Sequence, residues 1–160
     1  MSTNAQIGFY ETKDQAKTID DFDASILVYW DGYPETAAGV PARIVPFLKK
    51  FMKRRGLSDS MYASAWTLHE LMAQTVRAHK KNYREQSKEY KKSGIGLADG
   101  KDCTGFGILR DVCAVNFFYK VYPNTVEVWK RNYALEKDYG DPHYSVFQII
   151  DLTKKFTIPK

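Results

Sequence analysis

Read for the spacing of its apolar side chains, the chain passes from short strands to two helices and back to strands. Residues 7–11 form a brief β-prone run, and the mixed polar stretch 12–23 predicts an exposed connection. Ile26, Leu27, Val28, Tyr29 and Trp30 follow without a polar break, the mark of a strand covered on both faces. Asp31-Gly32 ends that run with a turn signal.

From Ala42 the period changes. Ile44, Leu48, Phe51, Met52 and Arg55 stand four, three, one and three residues apart, which places one stripe on a helix that Gly56 stops. Pro41 suits the first turn of this helix, and Pro46 either belongs to that turn or kinks the helix. A second helix follows, with Ser58 or Asp59 as its cap and a stripe at Met61, Ala65, Leu68, Met72, Val76, His79 and Tyr83. Continued to Lys92 it holds about 34 residues and spans about 50 Å, against a radius of gyration of about 15 Å for a compact domain of this size. Part of it must overhang the core, bend or dissolve, and the end of the stripe at Tyr83 puts that break or overhang at 84–93.

Glycines at 94, 96, 100, 105 and 107 mark a loop-rich return to strands. Cys113, Val115, Phe117, Tyr119 and Val121 then alternate with Ala114, Asn116, Phe118 and Lys120, the period of two that a strand requires. Pro123-Asn124 turns the chain into 126–131, and a last strand at 144–151 follows the polar 136–142 loop. The order β-β-α-α-β-β-β with hairpin-like links predicts an α+β fold: an antiparallel sheet of about five strands with two main helices on one face, in a single domain covering 1–160.

Composition narrows the class. Of 160 residues 44% are hydrophobic, with 9 Phe, 11 Tyr and 3 Trp, enough bulk to fill one core without disulfides or a structural metal. No run approaches the roughly 18 apolar residues of a membrane span. Residues 1–6 lack the basic and apolar regions of a signal peptide, so the expectation is a cytoplasmic protein. Cys103 and Cys113 lack CxxC spacing, and His69, His79 and His143 are scattered, so neither a disulfide nor a metal site is expected, and no cofactor either.

Charge is less even than its total. The formal net charge is +5, and residues 77–92 alone carry seven basic side chains (Arg77, Lys80, Lys81, Arg84, Lys88, Lys91, Lys92) against Glu85 and Glu89, a surplus of five. A second basic cluster, Lys49, Lys50, Lys53, Arg54 and Arg55, is balanced elsewhere by acids such as Asp20, Asp21, Asp23, Asp138 and Asp141.

The hexapeptide Tyr29-Trp30-Asp31-Gly32-Tyr33-Pro34, followed by Gly39 and a helix and preceded by Ser2-Thr3-Asn4-Ala5-Gln6-Ile7-Gly8, resembles a family of uncharacterised bacteriophage and bacterial proteins. Members open with a Gly-Thr-Arg-like segment and carry His-Trp-Asp-Gly-Tyr-Pro. The resemblance covers roughly the first third of the chain. Tyr29 replaces the usual His and Asn4 the usual Arg. The resemblance implies a phage or mobile-element setting, with the host-cell cytoplasm as location and an accessory or host-interaction role, but no reaction.

Candidate chemistry is weighed against plain structural roles. Asp31 ends a buried strand among aromatics that would raise its pKa, yet Asp before Gly is also ordinary turn chemistry. Trp30, Tyr33 and Pro34 form either an aromatic platform or part of the core. A nucleophilic site would need Cys103 beside His69 or His143 with Asp31 or Asp102 as orienting acid. The segment around Gly96 and Gly100 fails the phosphate-loop pattern, with three residues between its glycines and Asp102 after Lys101.

The basic stretch 77–92, with Tyr83 and Tyr90 interleaved, matches phosphate binding best: cations neutralise charge and rings stack on bases. Glu85 and Glu89 compensate some of that charge by spaced ion pairs. The leading expectation is a binding protein without catalysis, engaging nucleic acid or an acidic protein surface through Arg77, Lys80, Lys81, Tyr83, Arg84, Lys88, Tyr90, Lys91 and Lys92. The rival is a small hydrolase or transferase acting on a nucleotide-like ligand, with Asp31 as acid or base.

Overall fold

The computed structural model describes residues 3–14, 19–29, 32–93, 106–109, 111, 113–136 and 142–157, with the backbone alone at 76, 78–93 and 107. Among the described residues six strands and two α-helices alternate in blocks: β1 (Ala5–Phe9), β2 (Ala24–Val28), α1 (Val40–Arg55), α2 (Ser60–Ser93), β3 (Phe106–Leu109), β4 (Phe117–Val121), β5 (Thr125–Arg131) and β6 (Tyr144–Asp151). The α+β class holds. One more strand is present than the apolar pattern predicts, because β3 is four residues long and lies at the end of the glycine-rich return.

The strands form a single sheet in the order β3-β2-β1-β4-β5-β6. Every neighbouring pair is antiparallel except β1 with β4, which run parallel with Ile7 opposite Tyr119. The sheet is therefore mixed, not purely antiparallel. Its physical cause is the long crossover: after α1 and α2 the chain adds β3 outside β2, then crosses to the far side of β1 to lay down β4.

Alternation then builds two cores. Ala5, Ile7, Phe9, Ile26, Val28, Phe117, Tyr119, Val121, Val126, Val128 and Ile150 point toward the helices and pack with Val40, Ile44, Val45, Leu48, Ala63 and Leu71. On the opposite face Tyr10, Leu27, Val115, Phe118 and Tyr122 make a smaller core with Ile19, Phe22, Trp129 and Tyr144 packed against it. The connection predicted to be exposed thus folds partly over the sheet: Tyr10 Oη donates to the Ile19 carbonyl at 2.9 Å, and Phe22 meets Phe118. Gly8 makes room for this layer, since a Cβ there would stand 2.9 Å from the Phe118 ring.

Helix α1 ends as its sequence requires. Gly56 has φ 76° and its N–H donates to the Met52 carbonyl, a left-handed terminus that an L side chain resists. Pro41 occupies the first turn, and Pro46 lies inside the helix without ending it.

Helix α2 departs from its predicted face. Met61, Ala65 and Met72 are exposed, whereas Ser60, Ala63, Ser64, Thr67 and Leu71 are buried. Small side chains line much of the buried face, and three hydroxyls are satisfied by carbonyls of their own helix: Ser64 Oγ on Met61, Thr67 Oγ1 on Ala63 and Thr75 Oγ1 on Leu71. The polar composition of this face hides it from an apolar count. The helix also runs unbroken for 34 residues, about 51 Å at about 1.5 Å per residue. Its partner α1 has 16 residues, about 24 Å, so α2 reaches well beyond it.

Candidate functional site

The described inter-helix hydrogen bonds lie just before the basic run. Arg43 on α1 donates from Nη2 to the Leu71 carbonyl at 3.1 Å and to Thr75 Oγ1 at 2.9 Å. Gln74 returns a bond to the Arg43 carbonyl at 3.1 Å and a second to Glu70 Oε1 at 3.0 Å. Beyond Thr75 the basic positions start. Arg77, 61% exposed at its side chain, spends its charge on Glu70 at 2.8 Å, so this member of the predicted binding set is internally compensated. Positions 80, 81, 83, 84, 88 and 90–92 lie on the helical backbone of α2, and the side chains of Lys80, Lys81, Tyr83, Arg84, Lys88, Tyr90, Lys91 and Lys92 lie outside the described residues.

The first half of α2 carries exposed rings. Tyr62 and Trp66 stand 6.2 Å apart, His69 meets Trp66 edge-on at 5.5 Å, and the Arg55 guanidinium lies over the Tyr62 ring at 5.2 Å. Periodicity misses this set because Tyr62 and Trp66 fall outside the stripe through Met61 and Ala65.

The hexapeptide forms a clasp where it is described. Gly32 and Pro34 are buried, while Tyr29 and Tyr33 are 48% and 40% exposed. The Gly32 N–H donates to the Thr3 carbonyl at 3.0 Å, and its own carbonyl accepts from the buried Tyr119 hydroxyl at 2.7 Å. A Cβ at Gly32 would meet the Thr3 oxygen at 2.7 Å and Ala5 Cβ at 2.9 Å, so only glycine fits against β1. The Tyr33 carbonyl then accepts from Val40 N at the start of α1. Trp30 and Asp31 lie outside the described residues, as does Cys103.

The two described histidines sit on different elements. His69 belongs to α2 beside Trp66, and His143 precedes β6, its carbonyl accepting from Asn132 N at 2.7 Å. Among the described residues no group of three or more His, Cys, Asp or Glu side chains stands close enough to hold a metal ion. Cys113 is a half-buried free thiol whose N–H donates to Gln6 Oε1 at 2.8 Å.

A buried charged cluster lies on the sheet face away from the helices. Lys120 and Glu127 are cross-strand partners on β4 and β5, 4% and 5% exposed. The Lys120 ammonium lies over Trp129 at 4.8 Å and over Tyr10 at 5.5 Å. Glu127 accepts from Trp129 Nε1 at 3.1 Å and pairs with Lys13 at 2.7 Å. Burial lowers the Lys120 pKa, opposed by the charges of Glu127, Asp21 and Asp20. Burial likewise pushes the Tyr10 and Tyr122 hydroxyls above the ordinary tyrosine range. Chemically this is a Lys13–Glu127 ion pair beside an ammonium held over two aromatic rings, and it fastens Tyr10 and Lys13 to the sheet. Its signal stands in the sequence: a two-residue turn at Pro123-Asn124 sets Lys120 opposite Glu127.

Among the described residues no helix is long and apolar enough to cross a membrane. No protein-family model, curated protein or solved structure matches this chain.

Proposed function

We propose that this protein is a non-catalytic binding protein that engages a phosphate-rich partner, nucleic acid above all, through the basic distal half of α2. One observation carries the reading. Its surplus of cations falls on the part of an unbroken 34-residue helix that follows the α1 clamp at Thr75. Positions 81, 84, 88 and 91 recur at three, four and three residues, which on a continuous helix is one face. The exposed Tyr62 and Trp66 rings on the same helix favour a partner with bases to stack over a purely acidic protein surface. The resemblance of the hexapeptide adds a phage or mobile-element setting in the cytoplasm of a host.

Fluorescence-anisotropy titration of a labelled duplex oligonucleotide at several salt concentrations tests the reading. About five neutralised phosphates give a log–log salt slope near −4.5. Replacing Lys80, Lys81, Arg84 and Lys88 with Glu abolishes binding while leaving the thermal midpoint nearly unchanged. Binding that is absent at low salt, or flat against salt, removes the nucleic-acid reading. An acidic host protein captured by the wild type and lost in the charge-reversed variant would take its place.

A further inference from the structure

A second basic surface lies at the other end of the helical layer. Lys49, Lys50 and Lys53 on α1 and Lys155 after β6 surround a cleft of about 460 Å³, walled by Pro46 and Phe156. Its size falls in the range of small-molecule sites, roughly 300–1,000 Å³.

The wall opposite α1 is a fastened turn. Leu152 is fully buried and its N–H donates to the Asn124 carbonyl at 2.8 Å. Asp151 Oδ1 accepts from Thr153 N at 2.8 Å and Thr153 Oγ1 at 2.6 Å, and Asp151 Oδ2 pairs with Lys154 at 3.4 Å. The Lys49 ammonium donates to the Lys154 carbonyl, joining helix to turn across the cleft. Phe156 packs on the main core, which fixes its ring at the cleft wall.

Among the described residues the charges of the cleft are not compensated from within. Helix α1 contains Arg43, Lys49, Lys50, Lys53, Arg54 and Arg55 and no Asp or Glu. The lining contains no carboxylate either, and the nearby Asp151 is engaged by Thr153 and Lys154. Among the described residues none of the four lining lysines pairs with an acid. Complementing the α1 dipole accounts for Lys53, Arg54 and Arg55 in the last turn. It does not account for Lys49 and Lys50 one turn earlier, nor for Lys155 facing them from another segment. Four like charges converging on one concavity repel one another, and a multivalent anion removes that repulsion.

We propose that this cleft binds a nucleoside di- or triphosphate. Lys50, Lys53 and Lys155 hold the phosphates as mobile point charges, Lys49 adds its charge from its place on the Lys154 carbonyl, and the base lies against Phe156 and Pro46. The site is separate from the basic half of α2. The α1–α2 turn brings residue 53 near the start of α2, and position 81 lies about 30 Å along that helix at about 1.5 Å per residue.

Isothermal titration calorimetry of the full chain with ATP, with inorganic tripolyphosphate and with a single-stranded oligonucleotide tests the assignment. ATP binds at sub-millimolar concentration and more tightly than tripolyphosphate. The double variant Lys50→Glu, Lys53→Glu weakens both about tenfold or more. Phe156→Leu, which keeps an apolar wall against the core, weakens ATP about threefold or more and leaves tripolyphosphate unchanged. The charge-reversed α2 variant binds ATP like the wild type, so this site and the helical one fail or stand separately. Absence of heat with ATP at millimolar concentration overturns the proposal. So does ATP binding that survives the double substitution, or equal loss of both ligands in Phe156→Leu. Oligonucleotide binding that depends on Lys50 and Lys53 without ATP binding would overturn it in favour of a nucleic-acid surface.

Discussion

The Tyr119 hydroxyl, on the central strand β4, donates to the carbonyl of Gly32, which lies 87 residues earlier in the hexapeptide, at 2.7 Å. Both residues are buried, so the bond joins the turn before α1 to the middle of the sheet without competition from water.

Removing either partner of that contact should therefore cost stability for different reasons. Tyr119→Phe leaves a buried carbonyl unpaired and costs about 1–2 kcal/mol. Gly32→Ala forces a Cβ against the Thr3 carbonyl and Ala5, and costs about 2–3 kcal/mol by overpacking. Urea denaturation of the two variants measures both. A fully stable Gly32→Ala protein would show that the clasp is open in solution.

Lys120 and Glu127 respond unequally to replacement. Lys120→Met keeps the hydrocarbon stem between Tyr10 and Trp129 while removing a desolvated charge, so it is neutral or stabilising. Glu127→Ala leaves Trp129 Nε1 without its acceptor and Lys13 without its ion-pair partner, removes one of the carboxylates acting on Lys120, and costs about 2 kcal/mol or more. Thermal unfolding near neutral pH separates the two, and a Lys120→Met protein that melts well below the Glu127→Ala one reverses the argument.

Alkaline pH should unfold the protein. Burial raises the hydroxyl pKa of Tyr10, Tyr119 and Tyr122 and pushes Tyr144 up to about 12. An unfolded tyrosine loses its proton near pH 10, so above that value the unfolded state binds fewer protons and stability falls as pH rises. Lys120, with a lowered pKa, acts the other way: folding becomes easier from its folded pKa up to about pH 10.4. The several tyrosines outweigh the single lysine above that point. Urea midpoints are expected to hold to about pH 10 and then drop steeply, with a shallower fall in Tyr144→Phe. A decline that begins below pH 9 would point to other groups.

The outer edge of β6 should drive self-association. This strand ends the sheet, and Val146, Phe147 and Ile149 are 49%, 41% and 60% exposed. An edge with exposed apolar residues and no lysine or proline has only the register irregularity at Phe147 to discourage pairing. Ile149→Lys should raise the concentration at which light scattering detects oligomers and leave the thermal midpoint within about 0.5 kcal/mol equivalent. Identical scattering from both proteins would place the sticky surface elsewhere.

The elements with strong periodic or turn signals were legible: α1 with its Gly56 stop, the Pro123-Asn124 hairpin and the β6 strand all lie where spacing puts them. Strand pairing was less so. Hairpins announce themselves through their turns, but the β1–β4 contact joins segments 112 residues apart in register, and no local pattern encodes it. The buried face of α2 carries no apolar signal because serine and threonine line much of it, their hydroxyls bonded to their own helix. For the candidate sites, charge density marks 77–92 in the sequence, while the Lys49 to Lys155 cleft depends on the turn after β6 folding back onto α1.

The parallel pairing of β1 with β4 also sets an order of assembly. When the first hundred residues have left the ribosome, β1 and β2 can form their hairpin and the helices can lie down on it, but the free side of β1 has nothing to bond. Its N–H and C=O groups wait for β4 to be synthesised. During that interval the nascent chain exposes one side of a strand that is fully buried in the finished fold, and this is when a chaperone or a neighbouring copy has its best access to it.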